Sequence, residues 1–171
     1  MKALGIQQPW AFAIVRGPKR IENRMWGEGY TGPLLIHASK SLSRDTAELR
    51  AWFARTVPGL VRVLPAKGEY PLGCIVGACY VKVCTRSSGY AIGCTDRPRE
   101  SCGIAGQEVF CDSAPRTVFW ALRDVVAFDA PVPWRGERKL FEVPLRAVEA
   151  QLEAARWTWL DRVRADEGAK K

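Results

Sequence analysis

"GPKRIENRMW", residues 17–26, crowds Lys19, Arg20, Glu22 and Arg24 around a single Ile21, between the apolar "AFAIV" of residues 11–15 and a tryptophan. Gly17 and Pro18 stop the preceding segment, because proline cannot donate to a helix ladder and the residue before it is pushed away from helical geometry. From Arg20 a period of two places Arg20, Glu22, Arg24 and Trp26 on one face of a strand and Ile21, Asn23 and Met25 on the other. Lys19 then sits at the mouth of that strand, beside the turn. A Lys, a Glu and an Arg gathered at one mouth are costly to bury unless they pair with one another. The pattern therefore reads in two ways, as the floor of a charged pocket or as an ion-pair network bracing a hairpin.

Working outward, "KALGI" (2–6) reads as a strand, and "QQPWAFAIVRG" (7–17) as a helix with Pro9 in its first turn. "GPLLIHASK" (32–40) is a buried strand whose C-terminal edge emerges at His37 to Lys40. Ser43 can cap a helix carrying Leu49, Trp52, Phe53 and Val57 at helical spacing, and Pro58-Gly59 ends it before the turn-rich "VLPAKGEYPLG" (63–73). A long strand from Cys74 to Cys84 follows. Residues 85–117 are rich in Gly, Ser, Pro and charge without a sustained period, the mark of a long loop inserted into the core fold.

Two more strand candidates, "VFWALRDVVAFDAPVPW" (118–134) and "RKLFEVPL" (138–145), flank a Pro-bounded turn. Residues 145–166 carry Val148, Leu152, Ala155, Trp159 and Val163 on one helical stripe, and 167–171 read as a frayed tail. Several short strands with two or three helices and no regular alternation favour an α+β fold around a small β-barrel, in one domain over 1–166.

Composition narrows the function. The 171 residues carry 26 Lys/Arg against 18 Asp/Glu, a net +8, which draws polyanionic partners. The surplus lies early: residues 1–60 hold nine Lys/Arg against four Asp/Glu, while 118–171 hold ten against nine. No helix-turn-helix spacing, zinc-finger ligand set or basic zipper accompanies it, which argues against a general sequence-specific DNA reader. Nothing approaches a transmembrane run or a signal peptide, so the expectation is a protein without membrane association, resident in the cytoplasm. The six cysteines are expected as reduced thiols. Cys74, Cys79 and Cys84 fall in an apolar run, while Cys94, Cys102 and Cys111 show no CxxC spacing. No metal and no cofactor is expected.

"LGIQQPWAFAIVRGPKRIENRMW" followed by "YTGPLLIHASK" resembles the ASCH domain of the PUA-like superfamily. The signature G-x-K-x-x-E-x-R is met by Gly17, Lys19, Glu22 and Arg24, and "GCIVGACYVKV", "FWAL" and "VPWRGERKLFEVP" follow in the family's order. The resemblance spans residues 3–143 apart from the 85–117 loop. It implies a small β-barrel with a cleft lined by the signature. Family members include RNA-binding-like domains, amidohydrolases that deacylate N4-acetylcytidine, reported ribonucleases and binding modules of transcription coactivators. The amidohydrolases carry threonine where this chain has Glu22, so their nucleophile is not transferable here.

The leading expectation is binding of RNA or a nucleoside, with DNA a further possibility, through a pocket of Trp10, Gly17, Lys19, Glu22, Arg24 and His37. Arg24 suits a phosphate or carboxylate, and Glu22 suits an amino group of a base. A hydrolase is the alternative, either an amidohydrolase on N4-acetylcytidine-like nucleosides or a metal-independent ribonuclease. Lys19 and Glu22 would be central to it, with Tyr30, Thr31, Ser39 and Lys40 as further candidates for moving a proton or stabilising charge. A third reading is a protein-interaction module, with the partner unspecified. Trp10 and His37 each keep a second reading, as a core aromatic and as a satisfied structural histidine.

Overall fold

A computed structural model describes residues 1–27, 29–43, 47–66, 68–86 and 117–169. The elements run β1 (Lys2–Gln8), α1 (Trp10–Val15), β2 (Ile21–Arg24), β3 (Gly32–Leu42), α2 (Ala47–Thr56), α3 (Pro58–Val61), β4 (Cys74–Arg86), β5 (Val118–Pro133), β6 (Leu140–Glu142), a 3₁₀ turn (Leu145–Ala147), α4 (Glu149–Ala154) and α5 (Leu160–Gly168). Hydrogen bonding orders the strands β2-β5-β4-β3-β1-β6. The fold is α+β, as the mixture of short strands and helices implied. The loop expected over 85–117 lies outside the described residues except for its ends, residues 85–86 in β4 and Thr117 just before β5. Cys94, Cys102 and Cys111 lie outside them as well.

By internal contacts the chain forms two compact units, residues 1–18, 33–79 and 124–171, and residues 19–32 and 80–123. In the first, β1 runs parallel to β3, with Leu4 opposite Ile36, and antiparallel to β6, with Ala3 opposite Phe141. The alternation of "KALGIQQ" buries Ala3, Leu4 and Ile6, while the continuous "LLI" of β3 is buried throughout. Ala3, Leu35, Ile75, Phe128, Phe141 and Trp157 anchor one continuous apolar cluster of this unit. In the second unit, β2 pairs antiparallel with β5, Ile21 opposite Ala121 and Glu22 opposite Trp120. Fully buried Ile21, Trp120 and Leu122 form its core.

Three local expectations need correcting. Emergence of β3 begins after Ala38, since His37 is only 2% exposed. Pro58-Gly59 opens α3 rather than ending the helical region, because a proline at the first helical position sacrifices no hydrogen bond. The described part of α2 runs Ala47–Thr56, and residues 44–46, which would join it to the expected Ser43 cap, lie outside the described residues. The single helix expected over 145–166 is broken. Arg156 adopts φ 51°, and Trp157 is buried with its indole N–H donating to the Asp124 carbonyl at 2.9 Å. The Trp159 indole donates to the Asp124 carboxylate at 2.8 Å, so two indoles are drawn onto one residue and an unbroken helix cannot seat both. α5 then continues to Gly168, through the first residues of the expected frayed tail. Glu149 of α4 and Arg164 of α5 are joined at 2.6 Å.

Cys74 and Cys79 are buried thiols outside any disulfide, as expected of packed thiols, and burial pushes the Cys74 thiol above its ordinary pKa. No helix among the described residues is long and apolar enough to cross a membrane.

The start of α1 rests on Gln8. Pro9 precedes the helix without a capping side chain, and the Gln8 side-chain oxygen accepts the Phe12 backbone N–H at 2.9 Å while its amide donates to the Pro71 carbonyl at 3.2 Å. Gln8 is 1% exposed, so no water replaces it. Gln8→Ala is expected to cost about 2 kcal/mol, a fall in Tm of roughly 4–8 °C by differential scanning calorimetry. The exposed Gln7→Ala, which gives up one surface hydrogen bond to Ser41, should stay within about 0.5 kcal/mol of the parent.

Candidate functional site

The signature glycine is a packing requirement. At Gly17 an added Cβ would stand 2.7 Å from the Ala13 carbonyl oxygen and 2.7 Å from Leu60 Cδ1, so any larger residue would push the end of α1 off α3. The Arg16 N–H donates to the Phe12 carbonyl at 2.8 Å, closing the helix just before Gly17 and Pro18 turn the chain toward Lys19.

Lys19 then folds back along β2. Its ammonium donates to the Ile21 carbonyl and stands 3.0 Å from Glu22 Oε2, while Glu22 Oε1 is 3.0 Å from Arg24 Nε. Lys19 is 3% and Glu22 7% exposed, which makes this a buried charge cluster rather than a solvated surface run. Period-two alternation is what places Glu22 and Arg24 on one face, with Ile21 turned into the core. Arg20, expected on that face, directs its guanidinium to the Lys19 carbonyl at 2.9 Å.

β2 ends at Arg24, so the alternation lapses there and residues from both faces of the strand line one cavity. Asn23, Arg24, Met25, Trp26 and Thr117 surround about 290 Å³ within the second unit. Thr117 is 1% exposed, and its hydroxyl has no hydrogen-bond partner among the described residues. Met25 is 61% exposed at the rim. Trp26 meets Trp120 edge to face with ring centres 5.6 Å apart, and Tyr30 stacks on Trp120 at 5.6 Å and 27°. Tyr30 is thereby held in aromatic packing, while Thr31 is exposed.

The remaining candidates belong to the first unit. His37, Ser39 and Lys40 line a cavity of about 720 Å³ with the residues that join β5 to β6. Trp10 sits against Phe53 at 5.2 Å and Trp52 at 6.1 Å, a packing role that leaves its ring half-buried. Thr117 and Asn23 escaped sequence reasoning. Thr117 ends the irregular 85–117 stretch, and only the β2–β5 pairing of Arg24 with Val118 brings it beside the signature. Among the described residues no three His, Cys, Asp or Glu side chains converge as a metal site.

The Lys19–Glu22 contact sets a clear expectation for stability. Taking one partner away leaves the other charged and buried, at a cost of about 3–5 kcal/mol. Glu22→Ala should therefore lower the denaturation midpoint far more than Lys40→Ala, whose side chain is exposed; equal midpoints in a urea titration would mean that Lys19 does not depend on Glu22.

The family model of the ASCH domain matches residues 4–101. Activating signal cointegrator 1 of Homo sapiens is 38% identical over 76 residues, which are 43% of this chain and 13% of that protein. The mouse protein of the same name is 37% identical over a stretch of the same extent, so the chain corresponds to a small fraction of these relatives' length. A crystal structure of a tyrosine-to-phenylalanine variant of ZmASCH from Zymomonas mobilis superposes with a TM-score of 0.50 at 13% identity, covering 89% of this chain and 96% of that one. At that identity the likeness is one of fold, an α+β fold like the one described above. With the motif, the matched span and the fold in agreement, the chain belongs to the ASCH domain family.

Proposed function

We propose that this chain binds RNA or a nucleoside, engaging a base with the Lys19–Glu22–Arg24 cluster and the cavity beside it. The observation that carries this reading is the burial of the Lys19–Glu22 pair. A buried ion pair contributes little net stability over apolar residues of similar size, so its presence against Arg24, which lines the cavity, is better accounted for by what the cluster presents to a ligand. Glu22 retains lone pairs to accept an exocyclic amino group, Arg24 offers planar donors to a carbonyl or phosphate, and the orphaned Thr117 hydroxyl adds one more hydrogen-bonding group. Trp26 at the cavity wall supplies an aromatic edge of the kind that splayed bases pack against. The net charge of +8 supports attraction of the phosphate backbone.

The Lys19–Glu22 contact is also the arrangement a hydrolase needs for passing a proton, which favours one second reading, deacylation of an acylated cytidine. Glu22 would act on a water there, since no threonine occupies its position.

Binding of a short structured RNA, followed by fluorescence anisotropy, should weaken at least tenfold in Arg24→Ala, equivalent to losing one charge-assisted contact of about 1.4 kcal/mol or more. It should weaken further as salt rises. Unchanged affinity in Arg24→Ala would contradict the proposal. The parallel incubation with N4-acetylcytidine, resolved by chromatography, decides the second reading: cytidine formed by the parent and lost in Lys19→Ala supports it, and unreacted substrate overturns it.

A further inference from the structure

We infer that the larger cavity of the first unit is a phosphoryl-group site, built from His37, Ser39 and Lys40 of β3 and Arg135 and Arg138 between β5 and β6. Every lining residue belongs to that one unit, and the inference is independent of the base-binding reading. Three cations, Lys40, Arg135 and Arg138, face a single carboxylate, Glu137, around about 720 Å³, a volume that suits a mononucleotide-sized ligand. Among the described residues, none of these three cations takes part in an ion pair.

The wall of the cavity is organised around the imidazole. His37 Nε2 stands 3.0 Å from the Trp134 carbonyl oxygen, which can only accept, so Nε2 carries the proton and donates. The ring lies edge-on to Phe141, centres 5.5 Å apart at 84°, which fixes its plane. The remaining nitrogen, Nδ1, is buried and has no hydrogen-bond partner, although the residue is 2% exposed. A buried polar atom left without a partner is expensive, so this nitrogen calls for a partner from outside the chain, a water or an ion among them.

Two glycines bring backbone against this nitrogen. At Gly136 an added Cβ would lie 2.5 Å from His37 Cε1 and 2.9 Å from Nδ1, so no side chain fits between the loop and the ring. At Gly5 an added Cβ would stand 3.4 Å from the Ser39 hydroxyl and 3.9 Å from Nδ1, placing the hydroxyl and the orphaned nitrogen on a common wall. The Lys40 stem runs over Gly73, where an added Cβ would be 3.1 Å from Lys40 Cγ. A phosphoryl group is the chemistry that uses all of this. Its oxygens accept from two guanidinium groups, an ammonium and a hydroxyl in the cavity that the imidazole helps to wall. The group can come from a terminal phosphomonoester or from a phosphodiester within a strand.

His37 is the chain's one histidine, so its ring signals identify themselves in an NMR spectrum. Titrating inorganic phosphate at constant pH, with ionic strength matched by chloride, should shift the His37 ring ¹⁵N signals saturably. Arg135→Ala/Arg138→Ala, which alters two exposed side chains, should weaken that binding at least tenfold while leaving Tm unchanged. Comparing a 5′-phosphorylated trinucleotide with its 5′-hydroxyl form separates the sources: tighter binding of the former assigns a terminal monoester, and equal binding assigns the phosphodiester. His37 signals that ignore phosphate, or that move equally in the double variant, would overturn the inference. RNA anisotropy in Arg24→Ala tests the other site and can fail without affecting this result.

Discussion

The ammonium of Lys19, buried against the Glu22 carboxylate at 3.0 Å, is the constraint around which the signature is organised. Neither group can be removed alone without stranding the other in a poorly solvated place, and the pair together contributes little to net stability. Magnitudes decide the interpretation here. A break costs several kcal/mol on the scale of a domain's whole stability of about 5–15 kcal/mol, whereas the intact pair leaves that total almost unchanged. The pair is thus costly to disturb but nearly neutral to possess, which is the profile of a cluster kept for what it binds.

Local structure on either side serves its placement. Gln8 closes the start of α1 where Pro9 carries no cap, and Gly17 lets the end of α1 lie against Leu60, so Pro18 delivers Lys19 at the mouth of β2. The pairing of Glu22 with Trp120 and of Arg24 with Val118 then fixes the register. A slip of one residue would turn Ile21 outward and both charges of β2 into the core. Trp120, flanked by Trp26 and Tyr30, gives that register a rigid aromatic floor.

The sequence made most of this legible wherever a period or a breaker carried the information. The alternation of "RIENRMW" correctly put Glu22 and Arg24 on one face, and Gly17-Pro18 correctly ended α1. What stayed hidden was non-local. Thr117 comes beside Arg24 only through strand pairing, and Arg135 and Arg138 come beside His37 only because β5 returns along the sheet to β6; "RGER" by itself reads as an ordinary charged turn. The C-terminal stripe misled for a related reason. Its helical spacing is real at Val148, Leu152 and Val163, which are all buried, but the anchoring of Trp157 and Trp159 on Asp124 overrides helix propensity at Arg156. The fate of Trp10 also depended on partners far along the chain, Trp52 and Phe53, that no local pattern names.

The most direct measurement replaces both members of the pair at once, as Lys19→Met/Glu22→Leu, and records Tm and RNA affinity on the same protein. If the cluster exists for a ligand, the double variant stays within about 1 kcal/mol of the parent in stability, because the two most buried charges leave together and Arg24, 23% exposed, keeps access to water, and it no longer binds RNA. A double variant that binds RNA with the parent's affinity, or one that is as destabilised as Glu22→Ala alone, would contradict the account and return the cluster to the role of a structural brace.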